Sequence, residues 1–299
     1  MKIFFSAVLF LLMGFGTPSA AQSSVWEQPK KLSSTAKKQS GKVTSTYQKW
    51  KKHLQEWGLD SSYNHSVSIG GRLNTNGWSG TLIYQKPVGS IHERKRGRHA
   101  GQSQYFQLSF SEVKHEKEIK QQKENTAFPE LGPSSPFIYG KINQLYLLQL
   151  GYGREQLILP GVLEGNISGS FRYGGGFSLA MLKPYHLKLI HVEYTPDQVV
   201  SVQEEKYTPE NAELFLKRDH ILGASKWSKG LEGITYVPGV FLEGAFVIVP
   251  GKNKTFIQQI TLGGQFSVHT RQLTIMAERK SQSLQGALFV GMSIGKRWK

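Results

Sequence analysis

Asp219 and His220 are adjacent, and Gly176-Phe177-Ser178-Leu179-Ala180 sets a serine among small residues, so hydrolysis by a Ser–His–Asp set is the first chemistry to weigh. Context argues against both. A nucleophile elbow needs a sharp strand-to-helix turn, whereas the alternation around Ser178 runs on as a strand, which makes Ser178 a filler side chain. Neighbours such as Asp219 and His220 point apart in a strand or loop. Gly151-Tyr152-Gly153 opens a dinucleotide-like run, but Gln156 stands where the third glycine should be. Of the 9 histidines, His92 and His99 flank a cationic run that repels divalent metal, and His186, His191 and His220 are dispersed without paired carboxylates at ligand spacing. Cysteine is absent, which excludes disulfides, thiolate metal sites, cysteine nucleophiles and a lipoprotein anchor. The expectation is a protein with no catalysis, no metal and no cofactor.

The charge points to a partner class. Thirty-seven Lys and Arg against 21 Asp and Glu give +16, which favours anionic partners. Arg94, Lys95, Arg96 and Arg98 form the densest basic run. It lacks the interleaved aromatic platform of a nucleic-acid site, and an exported protein meets phosphorylated glycolipid before it meets nucleic acid. The run is therefore expected as a lipid-phosphate contact, set against the plainer reading of a solvated loop.

Export follows from the start of the chain. Lys2, an apolar run from Ile3 to Phe15 and the small residues Pro18-Ser19-Ala20-Ala21 read as a signal peptide over residues 1–21, too short in its apolar part for the ~20 residues of a spanning helix. Residues 22–60 are polar and basic, with Lys30-Lys31, Lys37-Lys38 and Lys51-Lys52. Within them Val43, Tyr47, Trp50, Leu54 and Trp57 share one helical stripe with lysines off it. That stripe suits packing on the main domain, or an interfacial helix at a membrane surface carried by Tyr47, Trp50 and Trp57.

From residue 61 to the end the period becomes two. Val67, Ile69 and Leu73 alternate with small or polar residues, Asn74-Thr75-Asn76-Gly77 offers a hairpin turn, and Trp78, Leu82 and Tyr84 return. Six further stretches follow, around Phe106–Phe110, Ile142–Gly153, Phe171–Met181, Val240–Ile248, Ile260–Val268 and Leu288–Ile294. Such strands suit either a soluble barrel with oil inside or a membrane barrel with oil outside, and the opposite face discriminates. Here that face carries mainly Ser, Gly, Gln, Thr and Ala, with Arg72, Arg172 and Glu243 its only charges. A water-facing surface would be richer in charge; a crowded lumen would not. The expected fold is an all-β, antiparallel, up-and-down transmembrane β-barrel over residues 61–299, with eight strands, or ten if Ile138–Gly153 or Leu187–Tyr194 hides another pairing.

Loop lengths then set an orientation. With a periplasmic start, the connections Pro87–Gly101, Arg154–Gly165 and Pro250–Lys254 are inner turns, and those at Asn74–Gly77, Val113–Phe137, Thr195–Gly233 and Thr270–Gln285 are outer. Arg172 and Glu243 lie on consecutive strands and are expected to pair in the lumen, with Arg72 the rival partner of Glu243 from across it.

Several motifs carry a likeness to known proteins. Glu112-Val113-Lys114-His115, Phe137-Ile138-Tyr139-Gly140-Lys141, Leu150-Gly151-Tyr152-Gly153, Tyr173-Gly174-Gly175-Gly176 followed by Leu182-Lys183-Pro184-Tyr185, and the Gly295-Lys296-Arg297 terminus resemble a group of small outer-membrane β-barrel proteins of Gram-negative bacteria, from Val67 to the end. The resemblance implies a barrel in the outer membrane and brings no activity or site. Barrels of that type commonly end on an aromatic residue; here Lys299 follows Trp298. The expected role is structural or surface interaction around a narrow, filled lumen, with outer-membrane lipid and the barrel-insertion machinery as partners and no nucleic acid. The alternative is a soluble, exported, lipocalin-like barrel that binds an apolar ligand.

Overall fold

The computed structural model describes residues 65–89, 101–122, 129–159, 167–195, 197–250, 256–277 and 282–298. The signal segment, the residue 22–60 region with Tyr47, Trp50 and Trp57, and the basic run of Arg94, Lys95, Arg96 and Arg98 lie outside them. In chain order the strands are β1 (His65–Asn74), β2 (Gly77–Pro87), β3 (Gln102–Val113), β4 (Lys120–Gln121), β5 (Phe137–Ile138), β6 (Asn143–Leu159), β7 (Ser168–Pro184), β8 (His186–Thr195), β9 (Asp197–Lys206), β10 (Ile221–Ala224), β11 (Thr235–Val249), β12 (Phe256–Leu273) and β13 (Gln282–Trp298). One short helix, α1 (Ala212–Phe215), precedes β10.

Eight of these strands close into a ring in the order β1-β13-β12-β11-β7-β6-β3-β2, every neighbour antiparallel. They are the eight segments that the alternation marks. Closure leaves no free edge, which satisfies the backbone without water. The burial pattern is inside-out. On β11, Phe241, Glu243, Ala245 and Val247 are buried, while Val240, Leu242, Phe246 and Ile248 between them are exposed, Leu242 to 70%. Ile69, Leu108, Phe177, Leu262 and Val290 continue that outer apolar belt on other strands. A face of this kind is stable only against lipid, so the domain is a transmembrane β-barrel.

Aromatic side chains gather toward both ends of the belt. Near the end that holds His65 and Trp298, hereafter the terminal end, Phe106 lies between Tyr84 and Tyr152, with ring centroids 6.5 and 5.1 Å away. Toward the opposite, capped end, Phe110 lies 6.2 Å from Trp78 and 5.5 Å from Tyr146, and the Trp227 indole donates to the Tyr146 hydroxyl at 3.1 Å. Amphipathic rings at two levels are what the two faces of a bilayer favour.

The capped end is folded. The long connection between β7 and β11 contains the three-stranded sheet β10-β8-β9 and α1. Leu187, Leu189, Phe215 and Ile221 from this connection form a core with Phe137 of β5. The Leu187–Tyr194 stretch thus does pair, but inside the cap, and the ring stays at eight strands. Beneath it a second apolar cluster, including Val113, Leu145, Leu182, Val237 and Leu273, gathers at the strand ends on that side of the barrel. Two of the four connections at this end, β3 to β6 and β7 to β11, are long; the expected third is not, because β12 runs on to Leu273 and β13 begins at Gln282, a shorter gap than that from Pro87 to Gln102 at the terminal end.

Candidate functional site

Two groups of side chains hold chemistry: a polar network in the lumen, and a basic pocket between rim and cap. In the lumen, Arg72 of β1 donates to Glu243 of β11 through Nη1 to Oε2 at 2.7 Å and Nη2 to Oε1 at 3.0 Å. Gln107 of β3 donates to the same carboxylate at 3.0 Å, and the Arg72 guanidinium sits 4.3 Å from the Phe289 ring centroid. Arg172, 0% exposed, turns elsewhere. Its Nε and Nη2 donate to Glu155 Oε2 at 2.9 and 2.7 Å, and Ser170 donates to Glu155 Oε1 at 2.6 Å.

The expected Arg172–Glu243 pair is therefore not formed, and register explains it. Arg172 stands directly opposite Glu155 across β6 and β7, whereas on the β11 side it faces Ala245, with Glu243 opposite Gly174. Direct cross-strand neighbours have their Cβ atoms closest, so Arg172 takes the nearer carboxylate and Glu243 is left to Arg72. The sequence reading missed Glu155 because it ended the fourth strand at Gly153. In the structure β6 continues to Leu159, which places Glu155 in the lumen rather than in the turn assigned to Arg154–Gly165. No local period marked it, because Arg154, Glu155 and Gln156 are all polar and interrupt the apolar face, although Glu155 is buried and Arg154 before it exposed.

Ser178 also lies in the lumen, with its hydroxyl 3.1 Å from His269 Nε2 and within 3.5 Å of Gln149 Nε2. Both Ser178 and His269 are buried, and Gln149 also accepts from Ser109 and Gln265. The contact fills space among neutral amides; Asp219 belongs to the cap, as does His220, whose ring Nδ1 lies 2.9 Å from the Ile190 carbonyl oxygen. His191 lies 2.6 Å from Glu205 on the adjacent strand, a carboxylate partner that the dispersed spacing had hidden. Among the described residues no three His, Asp or Glu side chains gather as a metal site.

The lumen contents bear on the lipocalin-like alternative. That fold would need an apolar lumen, but Arg72, Gln107, Gln149, Arg172, Glu243 and Gln259 are all buried inside the ring.

The second group lines a cavity of about 500 Å³ at the capped end. Barrel-rim residues Glu112, Lys114, Gln144 and Lys183 form one side; Tyr185, His186, Ser225, Lys226, Trp227 and Lys229 of the cap form another. Lys141 and Glu118 pair at 2.5 Å with both side chains buried. Lys183 is buried too, with its ammonium donating to the Trp227 carbonyl and lying 3.9 Å from that ring's centroid. Burial holds the His186 imidazole below its ordinary range, aided by the charges of Lys206 and Lys229. Burial pushes the Tyr185 phenol up.

No family model and no curated protein sequence matches the chain. Solved structures are similar in chain course. They include neisserial surface protein A (5% identity, TM-score 0.35, 79% of this chain and 97% of that one) and the attachment invasion locus protein Ail of Yersinia pestis (8%, 0.34, 79% and 99%). A major outer membrane protein from Thermus thermophilus is similar at 8% identity and TM-score 0.40, over 79% and 98%.

Proposed function

We propose that the protein is an exported outer-membrane barrel that anchors a folded cap at the cell surface and acts there as a structural and interaction platform. The single observation that carries this reading is the closed eight-stranded ring with apolar residues outward and an ion-paired, hydrogen-bonded lumen inward. The signal-peptide pattern supports export, and a Gram-negative outer membrane is where an exported barrel of this kind finds lipid. A lumen filled by Arg72, Glu243, Arg172 and Glu155 suits anchoring rather than transport, and the Ser178–His269 contact within it is buried. Lipid along the belt and the insertion machinery are the partners this reading implies, and the capped end faces out.

Two measurements on protein refolded in detergent test it. The expected results are a gel-mobility difference between boiled and unboiled samples, and planar bilayers that carry no regular conductance steps after insertion. A soluble protein with no mobility difference would contradict membrane insertion, and reproducible steps would contradict the filled lumen.

A further inference from the structure

The pocket between rim and cap has more positive charge than its own structure uses. Six lysines line it, Lys114, Lys120, Lys141, Lys183, Lys226 and Lys229, against Glu112 and Glu118. Both carboxylates are engaged. Glu118 holds Lys141, and Glu112 accepts from the Trp78 indole at 2.7 Å and from Gln144 at 2.8 Å. Lys229 reaches Glu204 at 3.5 Å. Among the described residues, no carboxylate pairs with Lys114, Lys120, Lys183 or Lys226. The position of Lys183 is the most demanding, because a buried ammonium is costly unless an anion compensates it, and here its partners are a carbonyl and a ring face.

His186 and Ser225 add polar side chains to the lining. The Trp227 side chain is largely exposed at the pocket, and Tyr185 adds a second ring. Such rings offer flat faces to the C–H side of a sugar, and about 500 Å³ is within the ~300–1,000 Å³ usual for small-ligand pockets.

We infer that this pocket binds a phosphorylated saccharide, with Lys114, Lys183 and Lys226 on the phosphate and Trp227 against the sugar ring. The chemistry is shared by a free sugar phosphate and by the headgroup of a phosphorylated glycolipid. The inference rests on the membrane-barrel reading only for what the pocket meets; the pocket itself is independent of it.

The test uses the full chain in detergent, with Trp emission and calorimetry as readouts. One arm titrates glucose 6-phosphate and glucose; the other adds phosphatidylcholine vesicles with and without lipid A. The Lys114→Gln/Lys226→Gln double variant, altered at two exposed positions, should fold as the parent does. Saturable binding of glucose 6-phosphate but not glucose, weakened about tenfold or more in the variant, identifies a soluble sugar phosphate as sufficient. Binding confined to vesicles with lipid A, with the same weakening, identifies the glycolipid headgroup. Equal binding of glucose and its phosphate, an unaffected variant, or no binding in either arm would overturn the inference. Heat-modifiability of the same samples reports separately on the barrel, so the two readings fail distinguishably.

Discussion

Arg72 and Glu243 are 171 positions apart in the chain, yet they meet across the lumen in a doubly hydrogen-bonded pair, 2.7 and 3.0 Å long, with Gln107 sharing the same carboxylate. Glu243 is only 5% exposed, so its charge has no solvent to fall back on. Replacing Glu243 by Gln should therefore cost about 3–5 kcal/mol, the range for one partner lost from a buried pair. Arg72→Gln should cost a similar amount, and the double variant much less than the sum of the two. Denaturant midpoints in detergent provide the cycle, and additive losses would mean that the two charges act independently.

The second pair makes a contrasting prediction. Because Arg172 bonds Glu155 through two of its nitrogens, a cycle on Arg172→Gln and Glu155→Gln should show strong coupling. A cycle on Arg172→Gln with Glu243→Gln should show a smaller one, within about 0.5 kcal/mol of additivity. The reverse order would restore the pairing expected from strand adjacency.

Gly77 follows the turn between β1 and β2 with φ of +151°, and a Cβ built there would come within 1.9 Å of the Glu112 carbonyl oxygen on β3. Gly77→Ala combines backbone strain with a clash against main chain. A loss of about 1–3 kcal/mol is expected in the same denaturation assay. An unchanged midpoint would show that the turn relaxes freely.

His186 confers a pH dependence on the cap. Its folded-state pKa is depressed, mainly by burial and further by Lys206 and Lys229, while the Pro184 backbone and Glu204 oppose the shift. The unfolded imidazole, with a pKa of about 6.5, then takes up its proton first as pH falls. Cap stability from this group is thus fully present above about pH 6.5 and is lost as pH drops below it. Amide hydrogen exchange of β8–β10 should quicken between about pH 7.5 and about pH 5 relative to the barrel strands, after correction for intrinsic rates. His186→Gln should flatten that difference; an unchanged slope in the variant would assign it to another group.

What could be read from the residues follows the solvent that each face meets. The outer belt touches one uniform medium, so Leu242, Phe246 and Ile248 repeat every second residue and declare their strand locally. The lumen meets itself. Whether Glu243 finds Arg172 or Arg72 depends on register and on the course of strands far away in the chain, which no local period encodes. Glu155 was lost where β6 runs past its apolar positions. The cap was hidden for a related reason: its core draws Phe137 from before β6 together with Leu187, Phe215 and Ile221 from after β7. Its strands are mixed in polarity, and the rim pocket exists only once both parts have assembled.

The central claim, that oil faces outward and polar groups inward, can be measured directly because the chain has no cysteine of its own. Single cysteines placed at Val240, Leu242, Phe246 and Ile248, and at Phe241, Ala245 and Val247, would carry nitroxide labels after insertion into bilayers. At Val240, Leu242, Phe246 and Ile248 the labels should be relaxed strongly by dissolved oxygen and weakly by a water-soluble nickel chelate, while at the three alternate positions they should be immobilised and shielded from both. Strong relaxation by the nickel chelate at Leu242 and Phe246 would put that face in water and contradict the account.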